Sequence, residues 1–331
     1  MSLFADVLRP FWIRGLNEVT GRQIKEIAGW VSAEDYQIYN NVQPDRFVLN
    51  VSNTEHLVRA YAAELDRIAI ASFETLARIE SSRESKSISW QCIQRYYAAF
   101  FSAHSLLRVF GTGCNTLGRN QCRSVLNVAN AWDVEAPTSL RAGLYCFSYD
   151  ANKQEFSARH VDGGPHESFW KQFNAKLEEI ANLILGHQVS FTVDIQTRQA
   201  VALKLDQLRA NLRWSGAPQG GWLTQMRNRI NYDHKEATWW PYSGRPKYYE
   251  RLEGQGTLWR DDPLEIELDL FDECDMLRFQ ASCNFLIAAC RDVLQDLADG
   301  CSTGDSFLKS GTIAYWNLSK ILKRPSRGKR D

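Results

Sequence analysis

Between about residues 272 and 298, Met276, Phe279, Cys283, Ile287, Cys290, Leu294 and Leu297 recur at steps of three and four. That is the period of an α-helix. A long helix with one continuous apolar side must cover that side with other elements. Four more segments carry the same period. Leu57, Tyr61, Leu65, Ile68 and Leu76 follow Ser52-Asn53-Thr54-Glu55, which reads as a capping box. Ile93, Tyr97, Phe100, His104 and Leu107 share a face over about 88–110, with Gly111 as the stop. Pro165 suits the first turn of a helix striped by Phe169, Phe173, Leu177, Ile180 and Ile184. Val201, Leu205, Leu208 and Leu212 mark the fifth. The predicted fold class is all-α, a helical bundle.

The connections follow from turn chemistry. Thr112 to Asn120 reads as a loop, followed by a short helix near 121–130. Pro137 and Thr138 open a further helix through Leu140, Leu144 and Phe147. His160 to Pro165 and Ser215 to Gly221 are Gly/Pro turns, and Pro241 to Pro263 is a long break. Strand signals are few. Phe191-Thr192-Val193 and Leu264-Glu265-Ile266-Glu267-Leu268 allow a minor β-hairpin. The expected organisation is an N-terminal helical extension (1–50), a helical domain (51–300) with an insertion at 239–263, and a C-terminal extension (301–331). The last of these ends in a tail, Lys320 to Arg330, with six basic residues.

Composition narrows the function classes. Apolar residues are 44% and charged residues 24% of the chain, an ordinary globular balance. The formal net charge is zero, so contact with nucleic acid would need a local patch. The eight cysteines form no CxxC pair, which argues against structural zinc and for reduced thiols in a cytoplasmic protein. No apolar run reaches membrane-spanning length, and no signal-peptide core opens the chain. There is no P-loop, dinucleotide fingerprint or HExxH. His160, Asp162, His166 and Glu167 have no recognised ligand spacing, so no metal and no cofactor is expected.

One segment carries candidate chemistry: Met226-Arg227-Asn228-Arg229-Ile230-Asn231-Tyr232-Asp233-His234. On a continuous helix, Arg227 and His234 lie two turns apart on one face. A fixed cation that can hold a phosphate oxygen, beside an imidazole that can trade protons, suits phosphodiester cleavage. Arg229 would point elsewhere, to solvent or to a second phosphate. The bland reading is that Arg227 and Asp233 make surface ion pairs and His234 caps the helix end.

Upstream, Arg95-Tyr96-Tyr97-Ala98-Ala99-Phe100-Phe101-Ser102-Ala103-His104 lies on an amphipathic helix. With the Arg-Asn…His helix, this pattern resembles the HEPN superfamily over Ser87–Gly111 and Gly221–Glu236. The resemblance implies a HEPN-like bundle with extra helices and loop insertions, and a metal-independent endoribonuclease. There the RNA 2′-hydroxyl attacks phosphorus, His234 acts as acid/base, Arg227 stabilises charge on the phosphate, and Asn228 orients one or the other. It also implies a homodimer, and the role of toxic effector in a prokaryotic antiphage defence or toxin–antitoxin system, with an antitoxin, sensor or complex subunit as partner. Tyr96, Tyr97 and His104 read as packing support for that helix.

After His234, Trp239, Trp240, Arg245, Lys247 and Arg251 interleave rings and cations, as single-stranded RNA binding requires. A folded cover that buries its aromatics is the plain alternative. Two other functions remain open: a catalytically inactive HEPN-like module that binds RNA or a partner in a defence complex, and a structural helical adaptor.

Overall fold

The computed structural model describes residues 2–81, 88–186, 189–236, 239, 249–269 and 274–322. In chain order the elements are α1 (Leu3–Leu8), α2 (Ile27–Ser32), β1 (Tyr36–Gln37), β2 (Arg46–Val51), α3 (Thr54–Ser81), α4 (Ile88–Val109), β3 (Thr112–Leu117), α5 (Arg119–Ala131), β4 (Gly143–Asp150), β5 (Glu155–His160), α6 (Pro165–Leu185), α7 (Ile195–Leu212), α8 (Trp222–Asn231), α9 (Tyr249–Gly254), α10 (Asp275–Asp299) and α11 (Thr312–Ser319), with short 3-10 turns between them.

The five long apolar stripes all form helices. α3 and α4 pack against each other, α10 lies on α4, and α6 pairs with α7. The cap of α3 differs from the expected capping box. The helix starts at Thr54, and the Asn53 Oδ1 accepts from the His56 N–H at 3.3 Å.

The all-α expectation is corrected by an antiparallel sheet of five strands in the order β1-β2-β5-β4-β3. Residues 112–117, expected as loop, are strand β3. The segment expected as helix through Leu140, Leu144 and Phe147 contains strand β4 instead. Leu140, Leu144 and Phe147 happen to fall at helical steps. The residues between them decide the matter: Tyr145 and Phe147 are buried, while Leu144, Cys146 and Ser148 are not, which is the alternation of a strand. β2 and β5 alternate likewise, burying Phe47, Leu49, Val51, Phe156 and Ala158. The hairpin expected from Phe191–Val193 and Leu264–Leu268 does not form. The Ile266 and Leu268 carbonyls accept instead from Lys204 Nζ (2.7 Å) and Asn211 Nδ2 (3.0 Å) on α7. The first 50 residues supply β1 and β2 to the sheet and pack α1 against α10 and α7. From residue 323 onward the basic tail lies outside the described residues.

Sheet and helices meet at a buried ion pair. Arg108 Nε lies 3.1 Å from Glu64 Oε2, with side-chain exposures of 1% and 0%. Glu64 also accepts from the Ile27 N–H at the start of α2 (3.1 Å) and from Asn115 Nδ2. Arg108 donates to the Cys114 carbonyl (3.1 Å) and to Asn115 Oδ1 (2.6 Å), both on β3, and to His104 Nδ1 (3.0 Å). A guanidinium cannot accept, so His104 carries its proton on Nε2. Burial, then the charge of Arg108, keeps that ring neutral, and it stacks on Phe169 at 3.7 Å.

Removing one partner of such a pair leaves a buried charge uncompensated, at a cost of about 3–5 kcal/mol. Glu64→Gln should therefore lower the urea midpoint by far more than Arg59→Ala. The latter breaks only the exposed Arg59–Glu55 pair, worth under about 1 kcal/mol. Similar midpoint shifts for the two variants would contradict this account.

Candidate functional site

α8 begins directly after the Gly220-Gly221 turn. Leu223, Met226 and Ile230 form its buried stripe, and Arg227 falls on the same side because it follows Leu223 by four positions. Arg227 is only 7% exposed. Its guanidinium lies 5.5 Å from the Tyr96 ring, 5.8 Å from Tyr97 and 5.9 Å from Tyr232. The Tyr232 hydroxyl accepts from it at 3.5 Å, and Nε has no partner among the described residues. Among the described residues, no carboxylate pairs with it. Thus Tyr96 and Tyr97 do pack on α8, as rings against a cation.

The Tyr96 hydroxyl is the hub beside Arg227. It lies 2.9 Å from His166 Nδ1 and 3.0 Å from Thr224 Oγ1, and accepts from Trp170 Nε1 at 3.2 Å. Burial pushes the phenol up to about 12, so it is a neutral donor at ordinary pH. His166 sits in the first turn of α6, its ring 4.4 Å from Phe100. Burial, then the charge of Arg227, brings His166 from its ordinary 6.5 down to about 4. A neutral imidazole therefore stands next to a cation that has no counter-ion among the described residues. In the sequence His166 is a candidate only for a metal site, and its spacing from His160 argues against one. Its neighbours Tyr96, Thr224 and Arg227 lie 58 to 70 positions away or on other helices, so no local signal linked them.

The remaining predicted residues are placed differently. α8 ends at Asn231, so Arg227 and His234 do not share a helix face. His234 lies in a left-handed turn (φ 52°), is exposed, and sets its ring 5.0 Å from Trp239. Trp239 donates its indole N–H to the Ile230 carbonyl at 2.6 Å and meets Trp90 edge-on, so it closes the C-terminal end of α8. The Asn228 side chain is exposed; its carbonyl accepts from the Tyr232 N–H at 2.8 Å. Arg229, expected as solvent-facing or as a second phosphate contact, is neutralised by Glu236 and by Asp275 at 3.1 Å. Arg251 is exposed on α9. Trp240, Arg245 and Lys247 lie outside the described residues. Trp259, in the same aromatic stretch, is fully buried. No group of acidic, His or Cys residues that could hold a metal ion occurs among the described residues. No helix among them is long and apolar enough to cross a membrane.

Comparison with protein-family models, curated proteins and solved structures gave no match.

The low affinity of His166 for protons makes a stability prediction. Above pH 6.5 it is neutral in both folded and unfolded chains and contributes nothing. Between 6.5 and about 4 only the unfolded chain takes up the proton, so stability falls as pH falls and then levels off. His104 adds to the same acid-side loss. His166→Asn should flatten part of that slope in denaturation midpoints measured across this window; an unchanged slope would contradict the assignment. Tyr96→Phe, which strips His166, Thr224 and Trp170 of a shared partner, should cost about 1–3 kcal/mol at neutral pH.

Proposed function

We propose that the chain is a metal-independent endoribonuclease of the HEPN type, acting in the cytoplasm as the toxic effector of a prokaryotic defence or toxin–antitoxin system. The observation that carries this reading is Arg227, a buried guanidinium with no carboxylate partner among the described residues. Desolvating a charge costs several kcal/mol. Three ring contacts return about 0.5–2 kcal/mol each, and one long hydrogen bond adds little. The rings offer only partial charges, and no full negative charge faces the guanidinium among the described residues, which favours an anion such as a phosphodiester. Tyr232, 69% exposed, is the ring whose displacement would open the guanidinium to it.

In the proposed reaction the RNA 2′-oxygen forms a bond to phosphorus and the bond to the 5′-oxygen breaks. The products are a 2′,3′-cyclic phosphate and a 5′-hydroxyl. Arg227 takes up the charge that grows on the non-bridging oxygens. His234 handles one proton, and Asn228 orients it or the phosphate. The second proton requires another group on the opposite side of phosphorus. A homodimer would bring a second His234. An antitoxin, sensor or complex subunit would restrain the activity.

A second reading, an inactive HEPN-like module that binds RNA or a partner, is favoured by one feature. His234 lies three residues beyond the end of α8, with its ring against Trp239.

Inducing wild type, Arg227→Ala or His234→Ala in cells, and mapping RNA ends, separates the two readings. The enzyme predicts growth arrest and new 2′,3′-cyclic-phosphate ends with wild type, both lost in either variant and both indifferent to EDTA in a purified reaction. The module predicts no new ends, and RNA binding that Arg227→Ala abolishes while His234→Ala spares it. Arrest that persists in both variants would sink the mechanism.

A further inference from the structure

A row of four side chains crosses the outer face of the sheet, well apart in sequence from α8. Arg46 on β2 opposes Arg159 on β5, Arg159 opposes Cys146 on β4, and Cys146 opposes Cys114 on β3. The His160 N–H donates to the Asp45 carbonyl, and the Val51 N–H to the Gln154 carbonyl. Counting inward from these hydrogen-bonded pairs makes Arg46/Arg159 a non-hydrogen-bonded pair, the kind with closer side chains. Like charges directly opposed there destabilise a sheet. Among the described residues Arg46 pairs with the half-exposed Asp45, at 3.4 Å, and Arg159 makes no ion pair. Both line a groove of about 360 Å³ with Cys146, Asn41, Gln43 and Gln172. Its charge and size suit a small anion.

The cysteines obey the same counting. Tyr149 N–H donates to the Gly111 carbonyl at 2.8 Å, so 113/147 is the next hydrogen-bonded pair and Cys114/Cys146 falls between hydrogen-bonded pairs. Facing Cα atoms in such a pair are about 4.5 Å apart, within the span of about 4.4–6.8 Å that a disulfide bridges. The two sulfurs are 2.9 Å apart, and Cys114 also reaches Gln172 Oε1 at 2.7 Å. Cys146 is half-buried at the groove, whereas Cys114 is 5% exposed. The Cys114 hydrogen bond, then the charges of Arg108, Arg159 and Lys171, hold the Cys146 thiol low against its burial. The bond to Cys146 and burial push Cys114 up. By contrast, burial pushes Cys92 and Cys290 up to about 12.

We propose that Cys146 and Cys114 form a thiol–disulfide exchange site for an anionic low-molecular-weight disulfide held by Arg46 and Arg159. The Cys146 thiolate attacks one sulfur of that disulfide. Its S–S bond breaks, and the departing thiolate takes a proton from water. Cys114 then gives its proton to water, attacks the Cys146 sulfur and expels the second small thiolate, which is protonated in turn. Two protein thiols are oxidised to one disulfide, and one small disulfide is reduced to two thiols. This inference does not depend on the ribonuclease reading.

The test treats the reduced full-length chain with oxidised glutathione, quenches with acid, alkylates and maps peptides by mass. The expected sequence is a glutathione adduct at Cys146, then a Cys114–Cys146 disulfide, with Cys92, Cys283 and Cys290 untouched. Cys114→Ser should accumulate the Cys146 adduct. Arg46→Gln should slow the reaction with oxidised glutathione about fivefold, yet leave the rate with neutral 2-hydroxyethyl disulfide within about twofold, because the charges that hold the Cys146 thiol low are those of Arg108, Arg159 and Lys171. The neutral probe also reports folding, because an unfolded variant would react at every cysteine. A first adduct elsewhere, no Cys114–Cys146 link in the folded chain, or equal slowing with both disulfides would overturn the proposal.

Discussion

One fully buried ion pair, Glu64–Arg108, sits where four packed elements meet and ties them together through polar groups. Glu64 brings α3 and the first N–H of α2; Arg108 brings α4 and the carbonyl of Cys114 on β3. Such a pair is tolerable only when the remaining lone pairs and protons also find partners. Here Asn115 serves both sides, and His104 accepts from the guanidinium. Gly113 makes the approach possible. A Cβ there would lie 2.8 Å from Arg108 Cζ and 2.7 Å from Phe147 Cζ. The sheet is therefore attached to the helices through polar groups as well as through its apolar face.

α10 imposes the second constraint. Its apolar stripe was visible in the sequence, yet every residue from Met276 to Cys290 is buried, polar ones included. Asn284 accepts from Arg95 (2.7 Å) and donates to the Gln255 carbonyl, Gln280 donates to the Leu252 carbonyl, and Arg278 donates to Asn211 (2.6 Å). These bonds bind α4, α7 and the segment around α9 to one helix, and fix its rotation in a way an all-apolar helix would leave looser.

Against this background the candidate site stands out by contrast. Arg108 and Arg227 are both buried arginines on helices. Arg108 has a carboxylate, two β3 oxygens and an imidazole; Arg227 has three rings and a distant hydroxyl. Arg46 and Arg159 repeat the pattern at the surface, two cations facing each other across a ladder. Beside the fully satisfied Arg108, Arg227 and Arg159 have no carboxylate partner among the described residues, and Arg46 has only its sequence neighbour Asp45.

Helices were legible in the sequence wherever an apolar period ran for several turns, because that signal is local: each side chain's burial depends on neighbours three and four positions away. Arg227, Tyr96 and Tyr97 could be singled out for the same reason, from residue type and helix spacing. The sheet was not legible. Its strands are short, β3 contains Gly113 and Asn115, and Leu140, Leu144 and Phe147 imitate a helical step. Strand identity there comes from pairing with residues far along the chain. Only the tertiary structure decided that α8 stops at Asn231 and leaves His234 off its face, that Trp239 closes the helix end, and that His166 and Tyr96 meet beside Arg227. Which partner a polar group finds depends on how separate elements dock, and no local period encodes that.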